Sequence, residues 1–143
     1  MGRLLGVDFG TKRIGLALSD ETRTLASPLG VVQGGEKALC REIEALCQSE
    51  TIDAIVLGLP LNMDGSEGPK ALETRGLAAR LGRRLQMPVE LFDERLTTVQ
   101  ASDLLRDTRL SAAQRRARID QVAAQVILQG YLDTQRREAE GED

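Results

Sequence analysis

The sequence predicts a single α/β domain. Its core is a five-stranded mixed sheet, three antiparallel strands followed by parallel α/β units, flanked by helices. Three observations carry this. Short β-rich runs crowd the first 33 residues with little but turns between them. After that, segments of helical periodicity alternate with short apolar runs. The total of 143 residues fits one domain with a sizeable core.

Leu4–Asp8 is an apolar run ending in an acid, and Arg13–Ser19 is β-rich; Gly10-Thr11-Lys12 between them reads as a hairpin turn. Leu29–Gln33, after Pro28, gives the third strand. Glu36–Ser49 places Leu39, Ile43, Leu46 and Cys47 at helical spacing. Ala54–Leu59 is a continuous apolar run, suited to a strand covered on both faces, and Pro60 ends it. The stretch 61–69 is a Gly/Asp/Asn-rich loop. Lys70–Gln86 is a helix with Leu72, Leu77, Leu81 and Leu85 inward, and Val89–Phe92 is the last strand. Thr97 or Thr98 caps a short helix to about Leu105. A final helix spans Gln114–Arg136, so the domain is expected at 1–136, with an acidic, disordered tail at 137–143.

Composition excludes whole classes of chemistry. The chain has no histidine, which removes His-based acid–base pairs, Ser-His-Asp and Cys-His nucleophiles, and the common zinc sites. Three aromatics (Phe9, Phe92, Tyr131) are too few for a nucleic-acid platform of stacked rings. No apolar run spans a membrane and no secretory signal is evident, so a cytoplasmic location is expected. Cys40 and Cys47 share a helix face and are expected as buried thiols. The net charge of −3 (19 Lys+Arg against 22 Asp+Glu) hides two basic stretches, 70–84 and 106–118, which suggest a polyanion footprint.

Chemistry then falls to carboxylates. In parallel α/β sheets, ligands sit outside the carboxyl ends of the strands. Asp8 ends the first strand there and Asp93-Glu94 ends the last. Asp93 and Glu94 point to opposite faces, so at most one faces a shared site, and spacing does not decide which. Asp120 lies at the margin of the apolar stripe of the last helix, near its start. Converging carboxylates repel one another, and a divalent cation resolves the conflict. Oxygen ligands alone select Mg²⁺ or Mn²⁺. GxxxxGK[ST] and strand-GxGxxG-helix units are absent, which removes the P-loop and dinucleotide readings.

Four stretches now form a pattern: GVDFGTKRIGLALSD (6–20), VLGLPLNMDGSEGP (56–69), DERLTT (93–98) and IDQVAAQVILQGYLD (119–133). Together they resemble the YqgF/RuvX family of pre-16S rRNA nucleases and Holliday-junction-resolvase-like proteins. The resemblance covers roughly residues 3–133. It implies an RNase H-like fold, with Asp8, one of Asp93 and Glu94, and Asp120 as catalytic acids. Related resolvases place an acid at the end of the fourth strand. Gly58-Leu59-Pro60 stands there instead, so an acid of the DER motif takes its place, while Asp64 belongs to the loop.

On this reading Asp8, Glu94 (or Asp93) and Asp120 hold Mg²⁺ or Mn²⁺ for phosphodiester hydrolysis. Lys12, Arg13 and Arg95 hold the flanking phosphate, and the cluster containing Arg115 and Arg116 guides the strand. The implied partners are structured RNA (the precursor of 16S rRNA), pre-ribosomal particles and branched DNA, with no membrane. A DNA junction resolvase and a non-catalytic ribosome-binding adaptor remain alternatives. DFGTKRIG also resembles the first phosphate motif of the actin/sugar-kinase ATPases, but those need a second lobe that this length excludes.

Overall fold

The computed structural model describes residues 2–10, 12–96 and 111–141; the side chains of 96 and 115–121 are outside that description. The elements run β1 (Arg3–Phe9), β2 (Arg13–Ser19), β3 (Ala26–Gln33), α1 (Gly35–Ser49), β4 (Ile52–Leu59), α2 (Pro69–Leu85), β5 (Val89–Asp93), a 3₁₀ turn (Glu94–Leu96) and α3 (Ala112–Gly141). One five-stranded sheet has the order β3-β2-β1-β4-β5. β1–β2 and β2–β3 are antiparallel, whereas β1–β4 and β4–β5 are parallel. The expected architecture is present. The helix expected from Thr97 or Thr98 to Leu105 falls outside the described residues.

Alternation along the strands sorts the two sides of the sheet. Leu5 and Val7 of β1 and Ile55 and Leu57 of β4 point to the side covered by α1 and α2, where they pack with Leu39, Ile43, Leu77 and Leu81. Leu4 of β1, Val56 of β4 and Phe92 of β5 point to the other side, beneath Ala124, Ile127, Leu128 and Leu132 of α3. This second layer is thin. A Cβ added to Gly6 would stand 2.7 Å from Leu128 Cβ and 3.1 Å from the Ala124 carbonyl. Glycine at that position lets the helix lie close against β1. Gln125 and Gln129 fix its rotation by hydrogen bonds to the backbone of Ala26 and Thr24.

Several local expectations need correction. β3 begins at Ala26 and contains Pro28. An edge strand tolerates proline because one side of its backbone has no ladder to join. Cys40 is buried but Cys47 is exposed. Seven residues fall about 20° short of two whole helical turns, and Leu46 takes the inward place at the end of α1. Leu72 is 61% exposed, and α2 turns Ala71, Thr74, Leu77 and Leu81 inward instead. α3 does not stop at Arg136 but continues to Gly141, so part of the acidic tail is helical. Glu138, Ala139 and Glu140 are good helix formers that need no burial. Among the described residues, no helix is long and apolar enough to cross a membrane.

Candidate active site

The parallel register sets two strand ends level. Val7 lies opposite Leu57, so the following residues, Asp8 and Gly58, reach the carboxyl edge of the sheet together. Asp8 is two residues beyond Gly6 and therefore faces the α3 side. Gly58 faces the same way: a Cβ placed on it would stand 2.6 Å from Ile127 Cδ1 and 2.5 Å from Glu94 Oε1. The Glu94 carboxylate thus lies over the glycine one residue before the end of β4. The acid missing from that strand is supplied from the next one, and glycine leaves it room.

Alternation along β5 explains why Glu94 is the acid that arrives. Phe92 packs on the α3 side, Asp93 takes the opposite side, and Glu94 returns to the side of Asp8. Asp93 is engaged elsewhere. Arg95 donates to it through Nε (3.1 Å) and Nη2 (2.7 Å), and those hydrogen bonds hold the Asp93 carboxyl below the usual carboxylate range. Arg95 Nη1 also donates to the Met63 carbonyl at 3.2 Å. Its guanidinium therefore joins the end of β5 to the 61–68 loop.

Asp8 and Glu94 hydrogen-bond to each other. Burial, then the charge of Asp8, then that hydrogen bond push the Glu94 carboxyl up to about 7. The charge of Lys70, at the start of α2, acts in the opposite direction. Two acids sharing one proton at a strand edge form the conflict a hard divalent cation removes, and the donor set is all oxygen. The residues present fit such an ion.

Among the described residues no group of three or more potential metal ligands forms. Asp120 belongs to α3, but its side chain lies outside the described residues, as do those of Arg115 and Arg116. By helical spacing, 120 shares a side with Ala124 and Ile127, both buried, as the sequence periodicity expects. α3 passes from Gly6 at Ala124 toward the start of β1, where Leu132 packs with Leu4. Its N-terminal turns therefore lie toward the edge where Asp8 ends β1.

Lys12 is exposed on the β1–β2 turn, which the Gly10 N–H closes onto the Arg13 carbonyl at 3.0 Å. Arg13 is half-buried at the start of β2. The basic face expected of α2 is partly neutralised within the fold: Arg80 pairs with Glu36, Arg84 with Glu44 and Arg75 with Glu67. Sequence reasoning counted Lys70 only as part of that face. Its place at the start of the helix that follows the loop after β4 was the signal that its charge is felt at the acids.

Comparison with known proteins bears on the family and the fold. The RuvX family model, described as a Holliday junction resolvase, matches residues 2–134. A protein of Pelotomaculum thermopropionicum named "Putative pre-16S rRNA nuclease" is 46% identical over 146 aligned positions, covering 99% of this chain and 95% of its own. One of the same name from Anaeromyxobacter sp. (strain Fw109-5) is 48% identical, covering 92% and 96%. The crystal structure of the fowlpox virus Holliday junction resolvase superposes with a TM-score of 0.54 at 11% identity, covering 92% of this chain and 98% of that one. The last match supports the RNase H-like fold alone. On the extent and level of these matches, the chain belongs to the RuvX family.

Proposed function

We propose that this chain is a metal-dependent nuclease that processes the 5′ end of the 16S rRNA precursor by hydrolysing a phosphodiester bond. The observation that carries the reading is the sharing of one spot by Asp8 and Glu94 over Gly58, at the edge of the sheet where α/β folds bind ligands. The names of the relatives, nearly full-length matches at 46–48% identity, supply the substrate.

We assign Asp8, Glu94 and Asp120 as ligands of Mg²⁺ or Mn²⁺, with Asp93 serving to hold Arg95. When bound, the cation supplies Lewis-acid stabilisation of charge on the phosphoryl oxygens and a water of lowered pKa. The chain's own groups do the rest. Asp8 and Glu94 keep negative charge fixed at the strand ends, where a bound cation would offset it beside the scissile phosphate. Lys12 and Arg13 face a flanking phosphate, and Lys70 adds positive charge from the start of α2. Arg115 and Arg116 track the strand further out. In-line attack of water on phosphorus breaks the P–O3′ bond and leaves a 5′-phosphate and a 3′-hydroxyl. The reaction belongs in the cytoplasm, with pre-ribosomal particles as partners.

The test is incubation of the full-length protein with precursor 16S rRNA and, separately, a four-way DNA junction, each with Mn²⁺ and with a chelator. Metal-dependent RNA cleavage with 5′-phosphate ends is expected, and binding should weaken steeply with salt as phosphate contacts release counterions. The family model's description favours a second reading, junction resolution. Cleavage of the junction alone would select it. Binding of RNA with no cleavage of either would leave an adaptor.

A further inference from the structure

Among the described residues, four large apolar side chains are exposed: Leu25, Leu29, Met63 and Leu72. A single apolar residue on a surface is ordinary, but Met63 differs in two respects. It is 90% exposed, the most of the four. It also sits on a loop that is built rather than slack. The Asn62 N–H donates to the Ser66 carbonyl at 2.9 Å, and the Gly65 N–H to the Asn62 carbonyl at 2.8 Å. Asp64 Oδ1 accepts from both the N–H (2.9 Å) and the hydroxyl (2.6 Å) of Ser66. The turn needs a left-handed residue, which Gly65 provides at φ +89°.

Arg95 ties this loop to the acids. It holds the Met63 carbonyl while following Glu94 directly in the chain. The Met63 backbone is thus fixed at the edge of the site, with its side chain directed into solvent. The three rings of the chain are all less exposed than Met63. Phe92 is buried, Tyr131 packs edge-on against it with ring centroids 6.3 Å apart, and Phe9 packs on the core. Among the described residues, Met63 is the most exposed large apolar side chain, and its thioether is flexible and polarizable.

Resting on the nuclease reading above, we propose that Met63 is a substrate-positioning residue that packs on the face of an unstacked RNA base flanking the scissile phosphate. Methionine is among the apolar side chains that serve as wedges between bases. RNA offers such bases in its single-stranded loops and ends. Because Arg95 and the turn order the loop in advance, its ordering entropy is not lost on binding.

The probe is a single-stranded RNA dodecamer carrying one 2-aminopurine, moved along the sequence and titrated with full-length protein in chelator, so that binding is read without cleavage. One position should change fluorescence with the wild type, lose the change in Met63→Ala and keep it in Met63→Leu. Affinity should fall roughly ten-fold in Met63→Ala, at the low end of what one stacked base contributes. On an RNA abasic at that position, wild type and Met63→Ala should bind alike. Thermal melts should coincide, since the side chain is exposed.

Equal binding of the two proteins to the base-containing RNA would overturn the proposal, as would an equal loss on the abasic RNA. It would also be overturned by a wild type that binds no RNA, or by a Met63 effect seen on a four-way DNA junction alone. A wild type that binds RNA through Met63 but cuts nothing with Mn²⁺ would leave this inference standing and remove the nuclease reading.

Discussion

The two ends of the sheet treat their acids in opposite ways. At the amino edge of β1 and β4, Asp53 accepts from the Gly2 N–H (2.7 Å) and from Arg23 Nη2 (2.6 Å), and Arg23 Nε donates to the Gly2 carbonyl (3.0 Å). Arg3 likewise meets Glu50 at 3.1 Å. At the carboxyl edge, Asp8 and Glu94 are set against each other, and burial together with the charge of Asp8 raises Glu94 to about 7. Acids matched by arginines hold the fold together. Acids matched to acids cost stability until something positive arrives, and a fold that keeps such a pair uses it.

That contrast can be broken most forcefully at Asp8. Asp8→Asn should lower metal-dependent cleavage on the order of 10²–10³-fold, with circular dichroism unchanged and metal-free melting no lower than wild type. Undiminished cleavage would remove Asp8 from the site. Gly58→Ala attacks the same site from below, because its Cβ would stand 2.5 Å from Glu94 Oε1. It should displace that carboxylate, abolish most activity and cost about 1–3 kcal/mol. Gly6→Ala, crowding Leu128 instead, should cost similar stability while cleavage per folded molecule survives. Denaturant melts paired with initial rates separate the two.

The raised Glu94 carboxyl gives a pH signature in metal-free protein. The folded state holds the Glu94 proton up to about pH 7, whereas the unfolded chain releases it near 4.5. Between those values the native state binds more protons, so stability falls as pH rises. The loss is complete above pH 7 and amounts to about 3 kcal/mol. Glu94→Gln should flatten this slope, and Mn²⁺ should reverse it. Urea melts at pH 4.5, 6 and 8 measure both. The smallest effect belongs to the opposite edge. Arg23→Ala removes a partly exposed ion pair and should cost about 0.5–1 kcal/mol with cleavage rates unchanged.

Much of this was legible in the chain. Period-2 and period-3.6 patterns place all five strands and the three described helices, since burial on one or two faces writes itself into residue order. Asp8 was legible because it ends an apolar strand. Glu94 against Asp93 was not: alternation makes them opposite without saying which side α3 covers. Cys47 and Leu72 misled for a related reason. Helical spacing groups residues on a face, but whether the neighbouring layer reaches that turn depends on where Leu46 and Ala71 pack. Arg95 offered a cation suited to phosphate, and its engagement with Asp93 and the Met63 carbonyl depends on a contact 32 residues away in sequence.

The sequence by itself determined the element order, the absence of histidine chemistry, and the strand ends at which acids stand. Local periodicity and residue type suffice for those. Only the tertiary structure decided that Glu94 lies over Gly58 beside Asp8, and that the loop after β4 is held out by Arg95. Both depend on register between strands distant in the chain and on which face of the sheet a thin helical layer occupies, and pairwise packing, not local preference, fixes those.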